Sequence, residues 1–330
     1  MDWRRHRGFG IQKPGSRGLA GLLGITGLAL GPAGLVAGGA GGGAAQMARF
    51  RFEDVSGRSV KLWDGAKPVL VYNHGPIGNA GVAGAVERAC YVHPLFGLDG
   101  EVLTDDFPAD HLYHRGLYWA WPHVRVGDRE HDLWSLRGIR QEHVRWISRE
   151  CLPGRALLAA ENAWKADGRT ILREEIRIIA RGESAGGRAI DLDLTLTPVE
   201  RAVTLQGAQG KSYGGLSLRF GPRAKTLITT PDGRTPDDLL VHPLPWADLS
   251  GDLAQGRMSG AAVLVHPSHP GFPPTWMTRH YGLLAVGWPG VAARTLAPGV
   301  PVALRYRVWV HRGNPDAAEI GRMWEEYGRE

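Results

Sequence analysis

The sequence predicts an all-β fold, a large antiparallel β-sandwich that ends in one C-terminal helix. Three observations predict it. Apolar and polar residues alternate with period 2 in many short runs from Ala48 onward. Turn signals such as Asp99-Gly100, Gly127-Asp128, Pro153-Gly154 and Asp167-Gly168 separate the runs. No Gly-rich phosphate loop stands between a strand and a helix, which argues against a nucleotide-binding α/β fold.

Residues 49–53, 59–63 and 69–72 read as three short strands. Residues 90–96 and 101–104 flank Gly97-Leu98-Asp99-Gly100, a hairpin turn. Residues 117–126 read as one strand closed by Gly127-Asp128, and residues 142–151, 156–164 and 170–180 as a meander of antiparallel neighbours. Residues 189–197 alternate Ile and Leu with Asp and Thr, which puts Asp191 and Asp193 on a solvated face. Further strands are expected at 216–220, 226–230, 261–266, 283–288 and 302–311. Roughly fifteen strands in one domain from residue 46 to the end suit a two-sheet sandwich. The helix comes last: Asn314 is the expected N-cap and Pro315 the first helical residue. Ile320, Met323, Trp324 and Tyr327 form one apolar stripe that packs on the sandwich.

The first 45 residues read as an address. Arg4, Arg5 and Arg7 precede an apolar run over residues 19–30, and Gly43-Ala44-Ala45 offers a small-residue cleavage site before Gln46. A signal peptide and an exported protein, periplasmic or extracellular, are expected; the alternative is an uncleaved anchor, although glycines and Pro32 interrupt the apolar run. No stable membrane partner is expected after cleavage. The same segment holds five basic residues against Asp2, which leaves 34 basic and 32 acidic residues in the rest of a chain with formal charge +6. So even a balance supplies no Lys/Arg stripe for a phosphate backbone, and no nucleic-acid partner is expected. Cys90 and Cys151 are the two cysteines, able to form one disulfide or remain two free thiols.

The densest chemistry lies at 105–116. Asp105, Asp106, Asp110, His111, His114 and Arg115 fall in a loop that leads into Leu117-Tyr118-Trp119-Ala120-Trp121-Pro122-His123. So many charges need partners if buried, and loops on a rigid sheet favour binding roles. Period 2 puts Trp119, Trp121 and His123 on one face, a platform for a sugar ring beside Asp110; the alternative is that both tryptophans belong to the core. His111 and His114 titrate in the range useful for acid–base work. With His123 they also form an alternative site for one divalent metal ion; otherwise no cofactor is expected. A second cluster comes late: Lys211 to Tyr213, Trp246 with Asp248, and His266 and His269 running into Trp276 and Arg279. It is expected to fold over the sheet and face the first, although the His-Pro pairs also suit a merely rigid loop. His6, His143 and His311 carry no motif, and the absence of a G-x-S-x-G elbow removes support for a serine nucleophile.

The stretch YVHPLFGLDGEVLTDDFPADHLYHRGLYWAW (91–121) resembles a bacterial family of unknown function that carries the label "methane oxygenase PmoA". The likeness continues through KSYGGLSLRF (211–220), PWADLSG (245–251) and HPSHPGFPPTWMTRHYG (266–282). Nothing after residue 45 is apolar enough to span a membrane, so the label is taken as a family's name and not as an activity. The resemblance implies a β-supersandwich similar to the galactose mutarotase class, whose members bind sugars in a groove on one sheet. Epimerases of that class use a His acid and a Glu base, but here no glutamate lies between Arg201 and Ala318, and Asp248 is the nearest substitute.

The expected function is that of an exported, carbohydrate-active, acid–base enzyme. His111 or His114 would move the proton, Asp248 or Asp110 would be the carboxylate partner, and Arg115 and Arg279 would hold negative charge, with His269 nearby. Tyr213, Trp246, His266 and Trp276 would complete the substrate contacts. The alternatives are a carbohydrate-binding module without chemistry, and a metal-dependent oxygenase or hydrolase.

Overall fold

A computed structural model describes residues 50–184, 186–254 and 256–330; the expected signal peptide at 1–45 lies outside them. The first strands are β1 (Phe50–Ser56), β2 (Ser59–Asp64), β3 (Lys67–Asn73), β4 (Tyr91–Leu95), β5 (Leu117–Ala120), β6 (His123–Val126) and β7 (Arg129–His131). The meander follows as β8 (Ile139–Leu152), β9 (Arg155–Ala166), β10 (Arg169–Arg181) and β11 (Gly187–Pro198). Then come β12 (Val203–Gln206), β13 (Gly215–Arg219), β14 (Ala224–Thr230), β15 (Gly233–Thr235), β16 (Leu240–Pro243) and β17 (Trp246–Ala254). The chain closes with β18 (Arg257–Val265), β19 (Thr275–Arg279), β20 (Leu283–Gly287), β21 (Arg294–Leu296), β22 (Val302–Arg312) and the helix α1 (Ala317–Gly328).

One nine-stranded sheet runs β1-β2-β3-β4-β5-β13-β20-β19-β16, and a second runs β15-β14-β17-β18-β22-β11-β10-β9-β8. A four-stranded sheet, β21-β12-β6-β7, completes the sandwich. Pairings are antiparallel, including the meander from β8 to β11. Leu70, Val92, Leu117, Leu216 and Leu284 of the first large sheet share one apolar core with Leu158, Ile176, Leu192, Val263 and Val308 of the second.

Several local expectations change. Residues 117–126 form two strands, because the chain leaves the first sheet at Trp121-Pro122 and enters the small one at His123; Pro122 has no N–H to continue a ladder. Residues 246–254 and 275–279, expected in loops, are strands that pair with β18 and β20. The helix is capped by Asp316, whose Oδ1 accepts the Glu319 N–H at 2.9 Å, and not by Asn314. The apolar stripe does pack on the sandwich: Ile320 and Tyr327 meet Trp246, Leu264 and Trp309, and the Trp324 indole donates to the Val265 carbonyl. Asp191 is not solvated. It is buried and ion-paired to Arg307, which also reaches Glu330 beyond the helix. The two thiols are free, Cys90 buried and Cys151 exposed.

Alternation in β10 sends Leu172, Ile176 and Ile178 inward, and Glu174 goes with them. Three donors satisfy its carboxylate: Trp164 Nε1 at 2.6 Å, Gln141 Nε2 at 2.8 Å and Asn162 Nδ2 at 2.8 Å. Asn162 also donates to the Tyr72 hydroxyl at 3.1 Å, which ties the second sheet to the first. Burial pushes the Glu174 carboxyl up from its ordinary range. Replacing Glu174 with Leu orphans these donors and is expected to cost about 3 kcal/mol of unfolding free energy. Glu174→Gln, which keeps one acceptor oxygen, is expected to cost less than half as much; equal losses in chemical denaturation would contradict the network.

Candidate functional site

Arg115 shapes the loop that carries the histidines. Its fully buried guanidinium donates to the carbonyls of Leu112 (2.6 Å), His114 (2.8 Å) and Val86 (2.5 Å). Nε lies 3.2 Å from Asp106 Oδ1, and the guanidinium sits over the Phe107 ring at 3.6 Å. Asp106 in turn accepts the Tyr91 hydroxyl at 2.9 Å. With the loop so held, the His114 N–H donates to the His111 carbonyl at 2.9 Å and closes a turn. Residues three apart then share a side, and the two imidazoles stack with centroids 4.5 Å apart and planes 4° apart.

Other rings extend the stack. Tyr281 stacks on His111 at 5.4 Å, Trp134 meets His114 edge-on at 5.5 Å, and Tyr213 packs on Trp134 at 4.5 Å. The sheet decides where they gather. Trp276, Leu284 and Val286 face the main core, whereas Met277, Leu283 and Ala285 form a separate cluster on the opposite face, with Tyr213 packed against it. Gly215 brings the Tyr213 loop close, because its φ of +139° and the Val286 carbonyl, 2.5 Å from where a Cβ would stand, exclude a side chain. His111, Tyr113, His114, Trp134, Lys211, Tyr213, Met277, Arg279 and Tyr281 thereby line a cavity of about 260 Å³.

Burial and the neighbouring His111 and Arg219 push the His114 imidazole down to about 2, so it is neutral at ordinary pH. Its Nδ1 is buried without a hydrogen-bond partner, which leaves Nε2 as the nitrogen for the cavity. Asp110 stands just behind: it accepts two bonds from Arg219, at 2.7 and 3.0 Å, and lies 3.1 Å from His111 Nδ1. Chemically the cavity offers a neutral base, aromatic walls and two cations.

Of the residues singled out in the sequence, His111, His114, Tyr213 and Arg279 meet here, with Asp110 in support. The others lie elsewhere. Arg115 is a buried organiser of the loop and does not line the cavity. Asp248 is buried against His311 Nε2 (2.8 Å) and the Ser250 hydroxyl (2.7 Å). It shares a strand face with Trp246, which packs under the helix. His269 Nε2 contacts the Tyr306 hydroxyl at 2.9 Å inside the protein, and His266 contacts Ser268 and Arg305. Trp119, Trp121 and Trp276 belong to the main core, where Trp121 donates to the Trp288 carbonyl and Trp276 to that of Leu244. A stacking platform needs a wet face, and these indoles lie on the face turned into the core shared with the second large sheet.

His123 pairs with Glu130 at 2.6 Å in the small sheet, away from the other two histidines. Stacked parallel rings do not aim their nitrogens at one point, and among the described residues no three His, Cys, Asp or Glu side chains are grouped to hold a metal. Tyr113, Lys211 and Tyr281 fall within the motif segments 91–121, 211–220 and 266–282, whereas Trp134 lies outside them. A larger cavity, about 580 Å³, is lined in part by His74, Arg88, Glu142 and His143. Its Glu142 is already matched by Lys165 (2.5 Å) and Arg140 (2.7 Å), so it offers less open chemistry.

A family model described as "Family of unknown function (DUF6807)" matches residues 59–325, and the chain belongs to that family. No curated protein matches it.

Two outcomes follow from this geometry. Arg115→Met leaves three carbonyls without their donor and Asp106 without its ion-pair partner and is expected to lower unfolding free energy by about 3–5 kcal/mol; a loss under 1 kcal/mol in chemical denaturation would contradict its organising role. The second concerns acid. His114, held near 2, and His269, lowered to about 4 by burial, stay neutral where the unfolded chain takes up protons below about 6.5. Each lowers stability by ~1.4 kcal/mol per pH unit as pH falls from about 6 to 4. Asp106, pushed up to about 6 by burial against the pull of Arg115, opposes one of them. Denaturation curves at pH 7, 6 and 5 are therefore expected to have a shallower pH slope in His114→Gln than in the parent, and parallel slopes would contradict the assignment.

Proposed function

We propose, on the premise of that membership, that the chain is an exported, carbohydrate-active, acid–base enzyme whose substrate is a sugar or glycoside held between His114 and Arg279. The observation that carries the reading is the meeting of three sequence-distant segments, 111–114, 211–213 and 277–281, in one cavity of about 260 Å³. That volume suits about one sugar ring, aromatic walls suit its C–H faces, and a few fixed polar groups suit its hydroxyls. Trp134 and Tyr213 take the stacking role once given to Trp119 and Trp121. His111, beside the Asp110 carboxylate, accepts the proton, and the neutral His114 stacked on it offers a hydrogen bond to the ligand; Arg279 and Lys211 lower the energy of the charge that develops.

The finer fold in this reading is a supersandwich similar to the galactose mutarotases, and the methane oxygenase label remains a family's name. Mutarotation by a His/Glu pair finds no support, since residues 202–317 contain no glutamate and Asp248 is committed to His311. A second reading, binding without turnover, is favoured by one observation: no lining side chain is a carboxylate, and Asp110, against His111, is already held by Arg219.

The test is turnover of a broad panel of sugars and glycosides by the purified protein. Turnover reduced about 100-fold or more in His111→Gln supports the enzyme reading. An inert panel ends it, and sugar affinity that survives both His111→Ala and His114→Ala in calorimetry then selects the binding module.

A further inference from the structure

The cavity wall is unbalanced in charge. Lys211 and Arg279 stand on it, and no carboxylate does. Arg219 lies behind Tyr281, its guanidinium carbon 4.8 Å from the ring centroid. The two nearby carboxylates are already engaged. Asp110 is held by Arg219 and lies against His111. Asp238 accepts the His280 N–H at 2.8 Å, contacts His280 Nδ1 at 2.8 Å and forms a long ion pair with Arg279 at 3.4 Å. That long contact is the side-chain bond of Arg279, and most of its five donors remain open. Lys211 is exposed and has no ion-pair partner among the described residues.

A neutral sugar leaves such an excess of positive charge unanswered, whereas a carboxylate meets a guanidinium in two parallel charge-assisted bonds. The missing carboxylate has a second meaning. Glycoside cleavage by the usual route needs a pair of carboxyl groups flanking the bond, and none lines this cavity. The single carboxylate that the site is shaped for is therefore one the ligand brings.

We infer that the sugar bound here is acidic, a uronic acid unit whose carboxylate is gripped by Arg279 while Lys211 adds positive charge at the rim. The inference rests on the carbohydrate reading above and narrows it to a substrate class.

The experiment is calorimetry on the full chain at low salt. The probes are the methyl glycosides of glucuronate and galacturonate, the matching neutral methyl glucoside and galactoside, and glucose 6-phosphate. At least one uronate is expected to bind about tenfold more tightly than its neutral counterpart, the worth of one or two charge-assisted bonds. That preference is expected to shrink below threefold in Arg279→Gln and to weaken in Lys211→Gln, whose exposed position leaves folding untouched. Equal or tighter binding of the neutral glycosides overturns the acidic-sugar inference and leaves the carbohydrate reading standing. Tighter binding of the sugar phosphate than of either uronate also overturns it, as does an undiminished uronate preference in Arg279→Gln. Binding of none of the probes removes both readings together.

Discussion

A guanidinium can remain in a protein interior only if its charge is answered, and Arg115 answers it by drawing its own loop around itself. Carbonyls from residues 86, 112 and 114, the Asp106 carboxylate and the Phe107 ring all converge on one side chain. The shape of the 105–116 segment follows from that convergence. A tight turn closes between His111 and His114, and two imidazoles that free chain would scatter are stacked at one point. The desolvation that keeps His114 neutral comes from the same compaction. Packing, charge and proton affinity here share one cause.

The rest of the cavity depends on which face of the first large sheet a residue occupies. One face of β19 and β20 carries Trp276, Leu284 and Val286 into the shared core; the other carries Met277 and Arg279 out to the loops. The second large sheet supplies the backing, and its polar interior is closed on itself. Glu174 is surrounded by donors, Asp191 by arginines, and Asp248 by His311 and Ser250. Buried carboxylates answered so completely are structural, in contrast with the open donors of Arg279.

Much of the fold was legible in the residues because period-2 alternation and Gly-containing turns report on local geometry. The long meander and the helix stripe came through on that account. Strands β17 and β19 did not, since β17 buries the polar Asp248 and Ser250 and the run before β19 is dense in prolines. For the site, the cluster at 105–116 was visible as a density of polar groups, and its meeting with residues near 279 was an expectation that only three-dimensional pairing can test. What the sequence hid was direction. Asp248 and Arg279 both lie on strands close to aromatic residues, yet one turns beneath the helix and the other into the cavity. Trp119 and Trp121 alternate correctly for a platform, but the face they share is the one turned into the core. Trp134 reaches the site from a loop with no motif at all.

The claim at the centre of this account is that the small cavity beside His114, and not the larger one beside Arg88 and His143, is where ligand binds. Amide hydrogen exchange with and without a saturating acidic glycoside tests it directly, because each cavity is built from its own peptides. The account predicts slowed exchange in the segments 107–116, 209–214 and 275–282, with little change elsewhere. Protection confined to 74–89 and 136–143 would contradict it.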